Sequence, residues 1–266
     1  MKKERLLLLT TIAVSILSGC AGSGESVRTT ELHSKKPLDL SAEVFRTATA
    51  KAPTVILLHG CAGPVRSQTE AWVKALNGWG HNVVVLDSFR PRGIRDTSVC
   101  QRPFSTVSPE QRGAEAHDAA RWVLQQPWAS SKVGLIGFSH GGNAVLHAVA
   151  SRDVERNVGT PVATAAVAIY PGCGDLMNTD KPAIPIEFHI GEKDTWTAAG
   201  PCRDLARNWS SPIFTYANAV HGYDIPTANG FGEQSNWGVR HEVRYEADAT
   251  RLTMERVRTF FDQQLR

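Results

Sequence analysis

The residues in this chain best suited to chemistry are a serine and its glycine neighbours, Gly137-Phe138-Ser139-His140-Gly141. A serine hydroxyl is a weak nucleophile until a base takes its proton, and that base needs an acid to orient it. The G-x-S-x-G spacing belongs to a sharp turn in which the serine backbone is strained. Its glycines let strand and helix approach without a Cβ clash. Such a turn lifts the hydroxyl above a sheet edge and leaves the next N–H groups at the positive end of a helix. In chains built this way the acid follows the serine, and the histidine follows the acid.

Position sorts the nine histidines. His33, His59, His81 and His117 precede the serine, His140 and His147 fall just after it, and His189 lies inside an apolar run. His221, in Val220-His221-Gly222-Tyr223, follows an apolar run and is the candidate base, with His241 as the alternative. Asp194, in Gly191-Glu192-Lys193-Asp194-Thr195, is the candidate acid, and Glu192 and Asp175 compete with it. A tetrahedral intermediate also needs backbone donors for its oxyanion, each contributing about 3 kcal/mol. The N–H of His140 is one candidate. The other is Cys61, or alternatively Gly60, in His59-Gly60-Cys61-Ala62-Gly63.

The elements that must position these groups alternate along the chain. Apolar, β-branched runs at 54–58, 82–86, 132–136, 163–170, 184–190 and 213–216 predict strands buried on both faces. Helical patterns fall between them, at 70–79, from Ser108 to about 126, from His140 to about 151, and at 247–264. Ser108-Pro109-Glu110-Gln111 reads as a capping box that opens the second of these. Repeated strand–helix–strand units predict an α/β fold, a mainly parallel, doubly wound sheet with helices on both faces.

The ends carry a different message. Lys2, Lys3 and Arg5 precede an apolar run at 6–17. That run is shorter than the roughly 20 residues a membrane-spanning helix needs and has the build of a secretory signal. Leu17-Ser18-Gly19-Cys20 resembles a bacterial lipoprotein signal, with Cys20 as the lipidated mature N-terminus. The expected organisation is a signal peptide at 1–19, a lipidated cysteine and flexible tether at 20–37, and one domain at 38–266. The expected location is the cell envelope, anchored through Cys20 to the outer membrane and facing the periplasm.

The net charge is +3, and falls to +1 once Lys2, Lys3, Glu4 and Arg5 leave with the signal, so nothing points to a nucleic-acid partner. Of five cysteines, lipid on Cys20 leaves an even four in an oxidising compartment. Four cysteines allow three connectivities; pairing sequence neighbours, the favoured one, gives Cys61–Cys100 and Cys173–Cys202, with buried free thiols as the alternative. No two of these lie at a zinc-binding spacing. Residues 88–107 hold Arg90, Arg92, Arg95 and Arg102, suited to an anionic substrate group or to ordinary ion pairs. Trp196, just past Asp194, is a further candidate for the substrate wall.

Together, HGCAG, VVVLDSFRPRG, KVGLIGFSHGGNAV, HIGEKDTW and VHGYD resemble the dienelactone hydrolase family, over roughly residues 50–265. The resemblance implies an α/β-hydrolase fold, no cofactor, and hydrolysis of a small-molecule ester or lactone through an acyl-enzyme. The enzymes that name the family use a cysteine nucleophile where this chain has Ser139. A serine peptidase or a deacetylase would use the same triad, and a non-catalytic envelope binding protein could keep the same fold.

Overall fold

The computed structural model describes residues 22–32, 34–102, 107–176, 181–234 and 239–266. The expected signal peptide and Cys20 lie outside the described residues. An eight-stranded sheet runs in the order β1-β2-β4-β3-β5-β6-β7-β8. Its strands are β1 (Ser23–Thr30), β2 (Pro37–Phe45), β3 (Ala52–Leu58), β4 (Asn82–Asp87), β5 (Ala129–Phe138), β6 (Ala165–Ile169), β7 (Ile186–Gly191) and β8 (Ile213–Tyr216). The pairs β1–β2 and β2–β4 are antiparallel, and every pairing from β4 to β8 is parallel. A separate hairpin joins β9 (Asn229–Gln234) and β10 (Arg240–Arg244).

The α-helices among the described residues are α1 (Arg66–Gly78), α2 (Ser98–Gln101), α3 (Pro109–Leu124), α4 (His140–Val149), α5 (Ser151–Asn157), α6 (Ala199–Trp209) and α7 (Ala247–Gln264). Alternate residues of a strand face opposite sides of the sheet, and β5 uses both. Gly134 lies against Phe261 and Leu265 at the C-terminal end of the chain, and Phe138 meets Trp72 of α1. Gly137, on the other face, approaches Val145 of α4. Helices therefore cover both faces, and β4 and β6 are buried along their whole length. Strand β2 instead alternates, burying Leu40, Ala42 and Val44 while Ser41 and Glu43 face outward.

The expected tether is corrected in part: residues 23–30 are the edge strand β1. Its register runs from Ser23↔Val44 to Thr30↔Pro37, Val27 and Thr29 are buried, and Arg28 pairs across to Asp39 at 2.7 Å. The physical reason is the inward alternation of β-branched residues, which a polar composition conceals. A second correction concerns the capping box. Ser108 Oγ accepts from the Gln111 N–H at 3.1 Å as expected. The Gln111 side chain turns away, donating to Thr30 O and accepting from the Leu32 N–H, and so ties α3 to the N-terminal strand. The helix after Ser139 also stops sooner, because Ala150 is extended before α5 begins. No helix among the described residues is long and apolar enough to cross a membrane.

Both disulfides pair the expected cysteines, Cys61–Cys100 and Cys173–Cys202. The first ties the loop after β3 to α2, and the second ties the turn after β6 to α6. A polar clasp holds α4 to its surroundings. His147 Nδ1 donates to Asp153 at 2.6 Å and Nε2 to Asp175 at 3.1 Å. Burial works against the imidazolium, but the two carboxylates outweigh it and raise its pKa to about 9. A raised folded-state pKa contributes stability that is complete below about 6.5 and lost as pH rises through about 9. Here it amounts to roughly 3 kcal/mol. Urea midpoints should therefore fall between about pH 6.5 and 9 in the wild type, and this fall should flatten in His147→Asn. Equal pH slopes in the two proteins would contradict the clasp.

Candidate active site

Ser139 sits between β5 and α4 with φ 53° and ψ −117°, a conformation open at low cost only to glycine. Holding a serine there costs about 1–3 kcal/mol, and the surrounding close packing enforces it. A Cβ on Gly137 would stand 2.1 Å from Gly141 O, and one on Gly141 would stand 2.1 Å from Leu58 O. The two glycines of the motif are therefore required by backbone contact on both sides of the turn. The Ser139 N–H donates to Ile169 O at 2.9 Å, which fixes the turn against β6.

His221 lies in the loop after β8, and its Nε2 is 2.9 Å from Ser139 Oγ. Its Nδ1 is 2.9 Å from Asp194 Oδ2. Asp194, at the end of β7, is buried and accepts from the N–H groups of Trp196 and Thr197 and from Thr197 Oγ1, all at 2.8–2.9 Å. Burial pushes its carboxyl up, but His221 and the Thr197 hydrogen bonds outweigh that and hold it below the usual range. An ionised carboxylate only accepts, so Nδ1 carries the ring proton and Nε2 presents a lone pair to the serine hydroxyl. The arrangement can deprotonate Ser139 and stabilise the imidazolium that results.

The competing residues are engaged elsewhere. Glu192 pairs with Arg203 at 2.7 Å, and Asp175 belongs to the His147 clasp. His241 stacks on Trp196 at 5.4 Å and bonds Thr195 Oγ1 at 3.0 Å. The loop carrying Cys61 leans over Ser139, since a Cβ on Gly60 would lie 3.6 Å from Ser139 Cβ. His140 is the first residue of α4.

The structure separates the three tentative substrate residues. Trp196 stands 4.8 Å from the His221 ring and packs on an apolar cluster of Cys61, Phe89, Val99, Cys100 and Val107. Arg92 does not reach the site. Its guanidinium pairs with Glu31 and with buried Glu115 and donates to Ser88 O, and these acceptors satisfy its fork. Arg90 is also misplaced, its side chain 69% exposed and 3.6 Å from Asp87. It opens onto a groove of about 1590 Å³ bounded by β1, β2 and α1, which none of Ser139, Asp194 and His221 lines.

One set of neighbours was not foreseen. Asp224, three residues past His221, is fully buried and accepts from Trp72 Nε1 at 2.7 Å, Tyr170 Oη at 2.6 Å and Gln68 Nε2 at 2.9 Å. Burial raises its pKa. These bonds pin the His221 loop to α1 and to the end of β6, and the Tyr170 ring lies 4.7 Å from that of His221. The short spacing from His221 was visible in the sequence, but the partners on distant elements were not.

Comparison with known proteins agrees with this fold. The dienelactone hydrolase family matches residues 40–265. A carboxymethylenebutenolidase of Pseudomonas putida is 24% identical over 207 residues, which cover 71% of this chain and 83% of that protein. Among solved structures, a dienelactone hydrolase-like promiscuous phosphotriesterase from metagenomic libraries superposes with TM-score 0.67 at 17% identity, covering 93% of this chain and 100% of the other. Esterase 2 of Thermogutta terrifontis, solved as the form phosphorylated by paraoxon, gives TM-score 0.63 at 15% identity, with coverages of 90% and 94%. With its parallel sheet, its strained serine turn and a family match spanning nearly all of the described chain, this protein belongs to the dienelactone hydrolase family and is a hydrolase of the α/β-hydrolase fold.

Proposed function

We propose that the protein hydrolyses small, uncharged carboxylic esters or lactones through an acyl-enzyme on Ser139. The observation that carries this reading is the Ser139–His221–Asp194 chain of 2.9 Å contacts at a positive-φ turn. Ser139 Oγ bonds to the substrate carbonyl carbon as its proton passes to His221 Nε2. The oxyanion is received by the N–H groups of His140 and Cys61. Collapse breaks the ester C–O bond, and the imidazolium returns its proton to the departing oxygen. Water then attacks the acyl-enzyme with His221 again as base, and Ser139 is released. Asp194 holds the imidazole in the required tautomer throughout.

The preference for an uncharged substrate follows from the walls. Trp196 and the apolar cluster around Cys61–Cys100 flank the triad, while Arg92 is consumed by Glu31 and Glu115. Hydrolysis of p-nitrophenyl esters from acetate to octanoate tests this, alongside anionic esters of equal size. Turnover of the neutral series is expected to exceed that of the anionic one. A folded protein active only on the anionic series would overturn the substrate assignment.

We also propose that lipid on Cys20 holds the domain at the bacterial envelope, most simply at the outer membrane facing the periplasm. The support is the Leu-Ser-Gly-Cys signal at 17–20 behind a basic, apolar leader. Two or more acyl chains anchor stably, each buried CH₂ contributing about 0.8 kcal/mol. Cys20→Ser should move the protein from the membrane to the soluble fraction. Continued sedimentation of the variant with membranes would refute the anchor.

A further inference from the structure

We propose that Arg112 is a positioning residue that sets the spacing of the two oxyanion donors. The inference rests on the reading of Ser139 as nucleophile with His140 and Cys61 as donors. Arg112 lies on α3 and is fully buried, far from any role on the protein surface. One arm of its guanidinium, Nη2, donates to His59 O at 2.8 Å, two residues before Cys61. The other, Nη1, is 2.8 Å from His140 Nδ1. Arginine only donates, so His140 Nδ1 is the acceptor and carries no proton. A single planar fork thus joins the loop after β3 to the first residue of α4, the two segments between which the oxyanion must fit.

The surroundings reinforce this. The guanidinium carbon lies 5.0 Å from the Phe89 ring centre, and Phe89 meets the rings of His59 at 4.5 Å and His140 at 6.1 Å. Burial lowers the Arg112 pKa to about 10, with nearby Glu115 acting against it, so the cation persists at neutral pH. Burial, and then the Arg112 charge, push the His59 pKa well down and keep that ring neutral. Both direct hydrogen bonds from Arg112 go to neutral acceptors. A buried guanidinium without a contacting carboxylate is costly to the fold, which argues that its place is kept for something other than stability. Its charge is bonded to the side chain of one donor residue and to the loop that carries the other, where it favours a developing oxyanion.

Geometry is the sensitive quantity, since a displacement of about 1 Å at a reacting centre can cost about 100-fold in rate. Lysine keeps the charge of Arg112 but cannot hold both acceptors with one planar fork. Arg112→Lys should therefore lower kcat by about 30- to 100-fold with KM within about threefold. Inhibition by a trifluoromethyl ketone, whose adduct places an oxyanion in the same pocket, should weaken by the same factor. His140→Leu removes one acceptor and leaves Arg112 in place; it should lower kcat by about tenfold, giving a second readout if the Arg112 variant does not fold. The proposal is overturned if folded Arg112→Lys keeps kcat within about threefold, if the loss falls on KM, or if ketone inhibition is unchanged. Where Arg112→Lys does not fold, wild-type kcat in His140→Leu overturns it. Ser139→Ala run beside these variants separates the two failures. Wild-type turnover that survives in Ser139→Ala defeats the nucleophile reading and the proposal with it, whereas Ser139-dependent turnover indifferent to Arg112 defeats only the proposal.

Discussion

Ser139→Ala should lower kcat for ester turnover by about 10⁴-fold or more while the protein stays folded. The size of the effect follows from the division of labour in the site. Without Oγ, His221 Nε2 has no held hydroxyl to deprotonate and no acyl-enzyme forms. Alanine keeps the Cβ and the positive φ of the serine, so the turn itself is unchanged, and only the 2.9 Å contact to His221 is lost. Residual turnover of water-attacked substrate held by the oxyanion donors is compatible with this expectation. Activity within tenfold of wild type is not.

Gly141→Ala should be among the most destabilising single-methyl additions at the described glycines, costing about 4 kcal/mol or more, or preventing folding. Its Cβ would stand 2.1 Å from Leu58 O and 2.5 Å from His59 O, both backbone atoms of β3 and the loop that follows it. A flexible side chain could swing aside, but Leu58 lies in the parallel ladder of β3 with β5 and His59 O is held by Arg112. Relief would have to come from moving α4 away from β3, which would also part His140 from the Cys61 loop. Gly63 makes the useful control, because a Cβ there meets nothing within 4 Å and only its φ of 81° resists substitution. Chemical denaturation of both variants tests the contrast. Equal stability losses at 141 and 63 would contradict the close approach at the turn.

What could be read in the sequence, and what could not, divides along a physical line. The β4 run Val83-Val84-Val85-Leu86 was legible because a strand buried on both faces has no polar interruptions. The meeting of Ser139, Asp194 and His221 was legible because a parallel sheet presents its strand ends along one edge, in an order the chain dictates. Helix α7 was placed at 247–264 from its periodicity alone, and the structure agrees. Strand β1 was hidden because only Val27 and Thr29 of its residues are buried, within a stretch of small polar residues. Helix α6 was obscured by Gly200-Pro201 in its first turn, though proline is well accommodated there. The arginines failed for another reason. Arg92 finds Glu31 across 61 residues of chain, a pairing no local pattern encodes, and Gln111 finds Leu32 in the same way. Local periodicity reports burial, whereas the fate of a long polar side chain is decided by whichever distant partner the fold delivers.

The central claim is that His221 and Asp194 activate Ser139 as a covalent nucleophile. Treating the folded protein with a fluorophosphonate and mapping the adduct by mass spectrometry tests it most directly, because phosphonylation requires an activated serine and not merely a pocket. The account predicts one adduct per chain, on the peptide containing Ser139, absent after denaturation and strongly slowed in His221→Ala. A folded protein that remains unlabelled, or that is labelled at another residue, would contradict it.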